Sequence, residues 1–396
     1  MALVFPGFMM MQMLSAGAMG GGISSAVARA LGGGRKDDAD ALVWHAVAIN
    51  LSLGLFFGGL VLAFGRPLYR ALGGEAGSLE AALIYSNVVF LAAPMVWLMN
   101  GLASVIRGTG NMLVPALSVC LGVAMLIPLS PLLIFGLGPV PGMGIMGAGL
   151  AVLTTTTGTV LVLSWYLLTG RSLLRLGRFQ PRRAMFFDIL KVGAVASVST
   201  LQTSLTVGLL TGLVGLAAGP DAVAGYGTGA RLEFLLVPLA FGLGAPMVAL
   251  VGTNIGAGQK ERALRIALTG GAVAFCLCET IGLAAACFPG AWLGLFGDDP
   301  KMLAVGVTYL RFAGPFYGFF GLGLSLYFAS QGAGRLGWPL FAGFIRMVLA
   351  VGGGWAAWFL TADLRWVFAV LGLALFVYGT VLAAAIRAGV WFRRPV

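Results

Sequence analysis

Long apolar runs, separated by short polar breaks, follow one another along the whole chain. Each run is roughly 20 residues or longer, which is enough for a helix to cross a hydrocarbon core about 30 Å thick. A closed β-barrel would instead show short alternating segments, and the sequence lacks them. The pattern therefore predicts an all-α polytopic membrane protein. Eleven spans are predicted, at about 2–30, 42–64, 79–106, 112–136, 144–169, 185–217, 220–254, 265–288, 302–330, 337–361 and 366–386.

The first polar break, Ala30–Ala41, has a counterpart later in the chain. Gly32, Gly34, Lys36 and Ala39 match Gly256, Gly258, Lys260 and Ala263 at an offset of 224 positions. At the same offset Arg107–Pro115 meets Gln331–Pro339, and Phe64 and Gly73 meet Phe288 and Gly297. Three blocks on one ungapped offset predict an internal duplication. About six spans per repeat is an even number, so both halves share one orientation, which is the parallel-repeat arrangement.

The offset also predicts how the chain is divided. The counterpart of the sixth span, 185–217, would lie before Met1, so we expect the first lobe to lack the first helix of its repeat. Either the sequence starts late, which we favour, or the natural protein has eleven spans. The predicted parts are an N-terminal lobe of five spans at 1–170, a basic cytoplasmic linker at 171–184, and a C-terminal lobe of six spans at 185–396.

Composition and charge support the membrane class and orient the chain. It has 396 residues, of which 59% are hydrophobic and 9% charged, whereas soluble domains carry about 25% charged residues. The net charge of +11 indicates membrane orientation rather than nucleic-acid binding, because Lys and Arg are concentrated on alternate loops. The basic loops hold Arg35, Lys36, Arg107, Arg171, Arg175, Arg178, Arg182, Arg183, Lys260, Arg262, Arg265, Arg335, Arg387, Arg393 and Arg394. The other loops hold Arg66, Arg70, Lys301 and Arg365. The first set predicts the cytoplasmic face, with the C-terminus cytoplasmic and residue 1 outside.

Four segments of the chain resemble the multidrug and toxic compound extrusion (MATE) family of transporters. They are Gly20–Gly34, Asn100–Pro115, Gly225–Glu233 and Gln331–Pro339. The resemblance implies a fold of two six-helix lobes that exports organic, often cationic, compounds against an inward flow of H⁺ or Na⁺. The family's acidic residue on the first helix has no counterpart among the eleven spans. Spans 185–217 and 302–330 also lack the interior acids of the family's sodium-type arrangement, so the coupling site stays open.

Few ionisable residues lie within the predicted spans, and each is a candidate for ion coupling because a charge inside a bilayer is costly. The candidates are Glu233, Glu279, Arg231, Arg346 and His45. Each also has a structural alternative, such as a hydrogen bond to another helix or a place near an interface. Arg231 and Glu233 stand two positions apart, so they do not face the same neighbour on a helix. His45 is the only histidine, which predicts no metal site.

Uncharged polar residues within spans are candidates for a cargo cavity, with packing as the alternative. They are Asn50, Asn100, Gln202 and Thr203. The four cysteines, Cys120, Cys276, Cys278 and Cys287, are expected to be small buried hydrophobes. The run Asp37–Asp40 beside Arg35 and Lys36 is expected to be a solvated helix start.

We therefore expect a secondary-active multidrug exporter of the inner or plasma membrane, monomeric, with H⁺ or Na⁺ as the coupling ion and no other cofactor. Its cargo would be a small amphiphilic or cationic organic compound. The alternatives are a lipid-linked precursor flippase of the same superfamily, or a non-functional truncated transporter. A membrane-embedded enzyme is not expected, because no cluster of His or acidic residues marks one interface.

Overall fold

The computed structural model describes residues 3–137, 140–175 and 180–392, and divides the chain into two compact units, Met1–Ala194 and Val195–Val396. The N-terminal unit contains α1 (Phe5–Gln12), a π-helical turn (Met13–Met19), α2 (Gly20–Gly32), α3 (Lys36–Ala71), α4 (Ala76–Leu91), α5 (Ala93–Gly108), α6 (Leu113–Phe135), a two-residue ladder of β1 (Gly136–Leu137) with β2 (Val140–Pro141), α7 (Gly144–Leu168) and the start of α8 (Arg183–Gly256). Arg178, Arg393 and Arg394, which contribute to the predicted orientation, lie outside the described residues, as does Met1.

The C-terminal unit contains the rest of α8 and the helices that follow it. These are α9 (Lys260–Cys287), α10 (Pro289–Leu293), α11 (Pro300–Ala313), a 3₁₀ turn (Gly314–Phe316), α12 (Tyr317–Ala333), α13 (Gly337–Met347), a π-helical segment (Val348–Gly353), α14 (Gly354–Thr361) and α15 (Leu364–Arg387). Each unit packs its own apolar core. Many large apolar side chains on the helices face outward instead, as expected for contact with lipid.

The all-α membrane fold is confirmed. Eight helices in the described part of the chain are long and apolar enough to cross a membrane, or nine if the bent pair α4 and α5 counts as one span. The 74-residue α8 contains two helical arms, because Gly219 has non-helical backbone angles (φ 80°, ψ −172°). When the arms are counted separately and the continuous helical run Phe5–Gly32 is added, the described residues contain the eleven predicted segments.

The duplication is visible in the helix boundaries of the two units. α3, α4, α5 and α6 begin at residues 36, 76, 93 and 113, and α9, α11, α12 and α13 begin 224 positions later in each case. The turn glycines correspond as well. Gly34, Gly73 and Gly110 have positive φ, and so do Gly258, Gly297 and Gly334. Because glycine adopts positive φ without a steric penalty, the pairs Gly34 with Gly258 (71° and 73°) and Gly110 with Gly334 (89° and 68°) form similar turns in both repeats, whereas Gly73 and Gly297 differ (85° and 157°).

Four predicted spans are interrupted although the apolar pattern is continuous in each: two at prolines and two by π-helical segments, one of which is Met13–Met19 in span 2–30. Span 79–106 bends by 43° between α4 and α5, where Pro94 stands at the start of the second helix. Span 302–330 contains the 3₁₀ turn Gly314–Phe316, which includes Pro315. Span 337–361 contains the π-helical segment Val348–Gly353. Proline cannot donate the backbone hydrogen bond of a helix interior, so the first two breaks have a local cause.

Glycines allow the helices of each unit to approach closely. A Cβ at Gly58 on α3 would lie 2.6 Å from the carbonyl oxygen of Phe90 on α4. A Cβ at Gly282, the repeat equivalent of Gly58, would collide with the carbonyl oxygen of Gly314, the repeat equivalent of Phe90. The same backbone contact is thus built twice, and small residues at such contacts are the usual means of packing membrane helices.

Candidate functional site

Glu233 lies in the second arm of α8 and is half-buried in the C-terminal unit. Its Oε2 accepts a hydrogen bond of 3.2 Å from the hydroxyl of Tyr309, which itself accepts one of 3.1 Å from the hydroxyl of Tyr317. The ring of Tyr226, seven positions before Glu233, meets the Tyr309 ring edge-on at 5.2 Å. The side chains of Tyr309 and Tyr317 are fully buried. The carboxylate of Glu233 is therefore the end of a chain of two buried tyrosine hydroxyl groups.

Arg346 lies on α13 and is buried, with only 8% of its surface exposed. Its Nη2 donates to the hydroxyl of Thr203 at 3.3 Å, and its guanidinium carbon lies 5.1 Å from the centre of the Tyr378 ring. Arg346 also interacts electrostatically with Glu233. The sequence predictions Glu233, Arg346 and Thr203 thus lie in one electrostatic neighbourhood of the C-terminal unit.

Arg231 does not belong to this neighbourhood. Its side chain is exposed and lies over the ring of Phe296, with the guanidinium carbon 5.2 Å from the ring centre. This contact agrees with the prediction that residues two apart on a helix face different neighbours.

Glu279 lies on α9 and satisfies a helix end. Its Oε2 accepts a hydrogen bond of 2.7 Å from the backbone N–H of Gly318, the second residue of α12. The first N–H groups of a helix have no acceptor within the helix. The N–H of Gly318 is such a group and lies in the interior of a membrane span, because the 3₁₀ turn separates α12 from α11. The carboxylate of Glu279 therefore accepts from a helix-end N–H, whereas that of Glu233 accepts from a side-chain hydroxyl.

Asn100 and Asn50 lie inside the N-terminal unit, both buried. The Asn100 amide donates to Gln12 Oε1 at 2.9 Å and to Ser15 Oγ at 2.8 Å, so it joins α5 to the helical run that begins at Phe5. Asn50 Nδ2 donates to the carbonyl oxygen of Ala46, and its Oδ1 is buried without a hydrogen-bond partner. The Asn50 amide packs against Gly101, where a Cβ would lie 2.7 Å from Asn50 Cγ.

His45 lies near the start of α3 and receives the polypeptide that precedes α8. Its Nε2 accepts a hydrogen bond of 3.0 Å from the backbone N–H of Arg182, and its Nδ1 lies 2.8 Å from the carbonyl oxygen of Ala41. The second contact requires a proton on Nδ1, which leaves Nε2 as the acceptor. In this tautomer His45 positions the basic segment, and the ring of Phe186 packs on it edge-on at 4.6 Å.

Two of the aspartates at the start of α3 hold the same segment. Asp38 makes an ion pair of 2.9 Å with Arg182, and Asp40 Oδ1 accepts from the backbone N–H of Arg175 at 2.8 Å. These two residues of the predicted solvated helix start thus also contact a segment far away in sequence, through hydrogen bonds that are themselves exposed, and Asp38 pairs with the neighbouring Arg35 at 3.7 Å as well. Asp37 is exposed, as predicted.

Gln202 lines an apolar groove between α8 and α13. The groove has a volume of about 800 Å³, and among the described residues that line it Gln202 has the one polar side chain. The other lining residues are Val198, Leu201, Leu205, Gly337, Leu340, Phe341, Phe344 and Met347. Gln202 reaches across to α13, where a Cβ at Gly343 would lie 2.8 Å from its Oε1.

Sequence reasoning missed several members of these clusters. Tyr226, Tyr309 and Tyr317 were not singled out, because a tyrosine in an apolar run carries no sign of its partner. Their spacing offers one signal, since Tyr309 and Tyr317 are eight positions apart and Tyr226 precedes Glu233 by seven. The cysteine prediction was wrong for three residues, as Cys120, Cys276 and Cys287 are exposed on outward helix faces and Cys278 alone of the four is buried.

Comparisons with known proteins agree on one family. The family model described as MatE matches residues 1–132 and 195–355. A FAD transporter of Shewanella oneidensis is 26% identical over 304 residues, which cover 76% of this chain and 67% of that protein. The probable multidrug resistance protein NorM of Thermotoga maritima is 25% identical over 332 residues, covering 82% of this chain and 70% of that protein. A solved structure described as the outward-facing conformation of a multidrug resistance MATE family transporter has a TM-score of 0.89 at 25% identity, and the match covers 98% of this chain and 87% of that one.

Proposed function

The chain belongs to the MATE family of membrane transporters, and on that premise we propose that it is a secondary-active exporter of organic compounds, antiporting its cargo against H⁺ or Na⁺. Relatives of the chain include one named for FAD transport and one for multidrug resistance. These names support a small amphiphilic organic cargo. The protein acts in the inner or plasma membrane with its C-terminus in the cytoplasm, in agreement with the distribution of Lys and Arg over its loops.

The observation that carries the coupling proposal is the carboxylate of Glu233 within the membrane helices. It is hydrogen-bonded to a tyrosine hydroxyl, which is in turn bonded to a second one. Ionisable residues at such depth commonly bind a coupling ion or relay protons. Glu279 is the weaker candidate, because its carboxylate is occupied by the N–H of Gly318.

The mechanism we propose is alternating access by the two lobes of the duplicated chain. Occupation of Glu233 by the ion favours one state and cargo favours the other, so that each is carried in its own direction. Binding of either partner shifts this equilibrium only as far as its affinity differs between the two states. Glu233 is suited to such a difference, because its partners come from three separate helices: Tyr309 on α11, and through it Tyr317 on α12, with Arg346 on α13.

The test is a transport assay on everted membrane vesicles from a host that lacks its own drug exporters. The full chain is energised with respiration, and ethidium or norfloxacin is added while a pH-sensitive dye reports proton release. We expect cargo addition to dissipate the pH gradient, and Glu233→Gln to reduce this response at least about tenfold, since the amide cannot exchange a proton. A parallel measurement with an imposed Na⁺ gradient separates the two coupling ions.

Glu261→Gln provides the matched control, because it removes an exposed carboxylate from the same unit at the start of α9. It should leave transport unchanged. If cargo has no effect on either ion gradient although the protein is present in the membrane, the export proposal fails. If transport survives Glu233→Gln intact, the coupling residue lies elsewhere.

A further inference from the structure

Most of the hydrogen-bonding capacity of Arg346 is unused. A guanidinium has five N–H donors, yet in the described part of the chain Arg346 makes one hydrogen bond, to Thr203. Its Nε is buried without a partner. No carboxylate oxygen of a described residue lies within 4.0 Å of the guanidinium, so Glu233 balances its charge only from a distance. A buried charge with unmade hydrogen bonds is costly unless something completes its coordination.

The depth of Arg346 in the membrane limits which groups could complete its hydrogen bonds. The helical run Gly337–Thr361 has 25 residues, and Arg346 stands about 14 Å along it at 1.5 Å per residue. This is close to half of a hydrocarbon core about 30 Å thick. The phosphate of a phospholipid headgroup lies at the edge of the core, so it does not reach Arg346. A soluble organic anion that enters the groove between α8 and α13 is the candidate that remains.

The surroundings of Arg346 provide the rest of a binding site. Thr203, which accepts the hydrogen bond from Arg346, is exposed, so the acceptor of the pair is accessible while the guanidinium lies buried behind it. The neighbouring Gln202 lines the apolar groove between α8 and α13, and Met347, next to Arg346, lines the same groove from the other helix. An apolar ligand of about 800 Å³ or less fits the groove. A polar group attached to that ligand contacts Gln202 before it contacts Arg346.

We propose that Arg346, Thr203 and Gln202 form an anion-recognition subsite at mid-membrane depth, for cargo that carries a carboxylate or phosphate on an apolar or aromatic body. The subsite rests on the proposed export function and names a class of cargo for it. Arg346 supplies the charge and the free donors, Thr203 orients the guanidinium, and Gln202 offers an amide donor at the mouth of the groove. Arginine is suited to this task because its planar donors match carboxylate and phosphate oxygens in pairs.

The test is binding to the purified full chain in nanodiscs of neutral phosphatidylcholine, with no ion gradient. Two probe pairs are used, each differing at the anionic group: FMN against riboflavin, and norfloxacin against its methyl ester. In at least one pair we expect the anionic member to bind about 10- to 100-fold more tightly, the range for hydrogen bonds to a charged group. Arg346→Gln should abolish this preference, and Arg346→Lys should retain part of it.

Arg335→Gln is the matched control, since it removes an exposed positive charge just before α13 and should leave the preference unchanged. If Arg346→Gln does not fold, Thr203→Val tests the same subsite and should weaken binding of the anionic member alone, by about three- to tenfold. The proposal is overturned if neither pair shows a preference for the anionic member, or if the preference survives Arg346→Gln. Competition by phosphatidylglycerol in the nanodisc would assign the subsite to lipid instead and overturn it too.

The binding measurement is independent of transport. A protein that prefers the anionic probes but moves no cargo in vesicles keeps the subsite and loses the export proposal. A protein that exports ethidium but shows no anion preference loses the subsite alone.

Discussion

Glu279 illustrates how one residue can compensate for a change in another. At the repeat offset of 224 positions, Gly318 corresponds to Pro94 and Glu279 corresponds to Leu55. Pro94 is the second residue of α5 and has no N–H group, so nothing is required of position 55. Gly318 is the second residue of α12 and has an N–H group, which Glu279 accepts. The carboxylate is thus present in the repeat that has an orphan amide.

This pairing predicts opposite results for two substitutions of Glu279. Glu279→Gln keeps an acceptor oxygen, so we expect an unchanged unfolding temperature and transport within about twofold of the parent protein. Glu279→Leu leaves the buried Gly318 N–H without an acceptor, which should lower the free energy of unfolding by about 1–3 kcal/mol. Thermal unfolding in detergent measures the stability of both variants, and the vesicle assay measures their transport. Loss of transport in a well-folded Glu279→Gln protein would instead make Glu279 the coupling residue.

The sequence indicated which residues were chemically unusual but not what they touch. Glu233, Glu279 and Arg346 stood out because charges are rare in apolar runs. Their pairings did not, since Tyr309 is 76 positions from Glu233, and Thr203, although a cavity candidate itself, is 143 positions from Arg346. His45 was recognised as a candidate, whereas its contact with Arg182 depends on a segment folded back over α3. Contacts at such separations are decided by tertiary packing.

At the scale of helices, the repeated glycine contacts set how closely α3 and α4 pack. Gly58 and Gly59 are neighbours on α3 with different surroundings. A Cβ at position 58 would lie 2.6 Å from the Phe90 carbonyl oxygen, whereas a Cβ at position 59 would meet no atom within 4 Å. The contrast separates the packing role of a glycine from its effect on helix propensity.

We expect Gly58→Ala to lower the free energy of unfolding by about 1–3 kcal/mol, the usual cost of overpacking. Gly59→Ala should be neutral or should stabilise the helix by up to about 1 kcal/mol, because alanine is the better helix former. Thermal unfolding of the two single variants against the parent protein measures both effects. Equal destabilisation by the two substitutions would show that helix propensity, rather than close packing, explains these glycines.

The positions of the helices could be predicted from the sequence, whereas their internal breaks could not. Hydrophobic length located all eleven segments, because the bilayer thickness demands it. The largest boundary error was at α3, which extends to Ala71 through Pro67, beyond the predicted end at 64. The π-helical segments Met13–Met19 and Val348–Gly353 leave no mark in hydropathy, since they change the hydrogen-bond register and not the composition.

At the scale of the whole molecule, the duplication and the loop charges together predict the membrane topology. Matched helix starts and matched positive-φ glycines establish that both units follow the same order of helices. The parallel-repeat prediction adds the expectation that equivalent connections lie on the same side of the membrane. The charge asymmetry predicts which side this is, because connections rich in Arg and Lys are the ones expected in the cytoplasm.

Four single-cysteine variants test this topology directly, after Cys120, Cys276, Cys278 and Cys287 have been replaced. Arg35→Cys and Gln259→Cys occupy equivalent exposed positions in the first pair of turns, and Gly77→Cys and Lys301→Cys occupy equivalent positions on the opposite connections. A membrane-impermeant maleimide should label positions 77 and 301 in cells with an intact inner membrane, and positions 35 and 259 only after that membrane is opened. If positions 35 and 259 were labelled from opposite sides, the repeats would be inverted rather than parallel, and alternating access would need a different symmetry. If all four responses were exchanged, the repeats would remain parallel, and the charge rule would have assigned the wrong face to the cytoplasm.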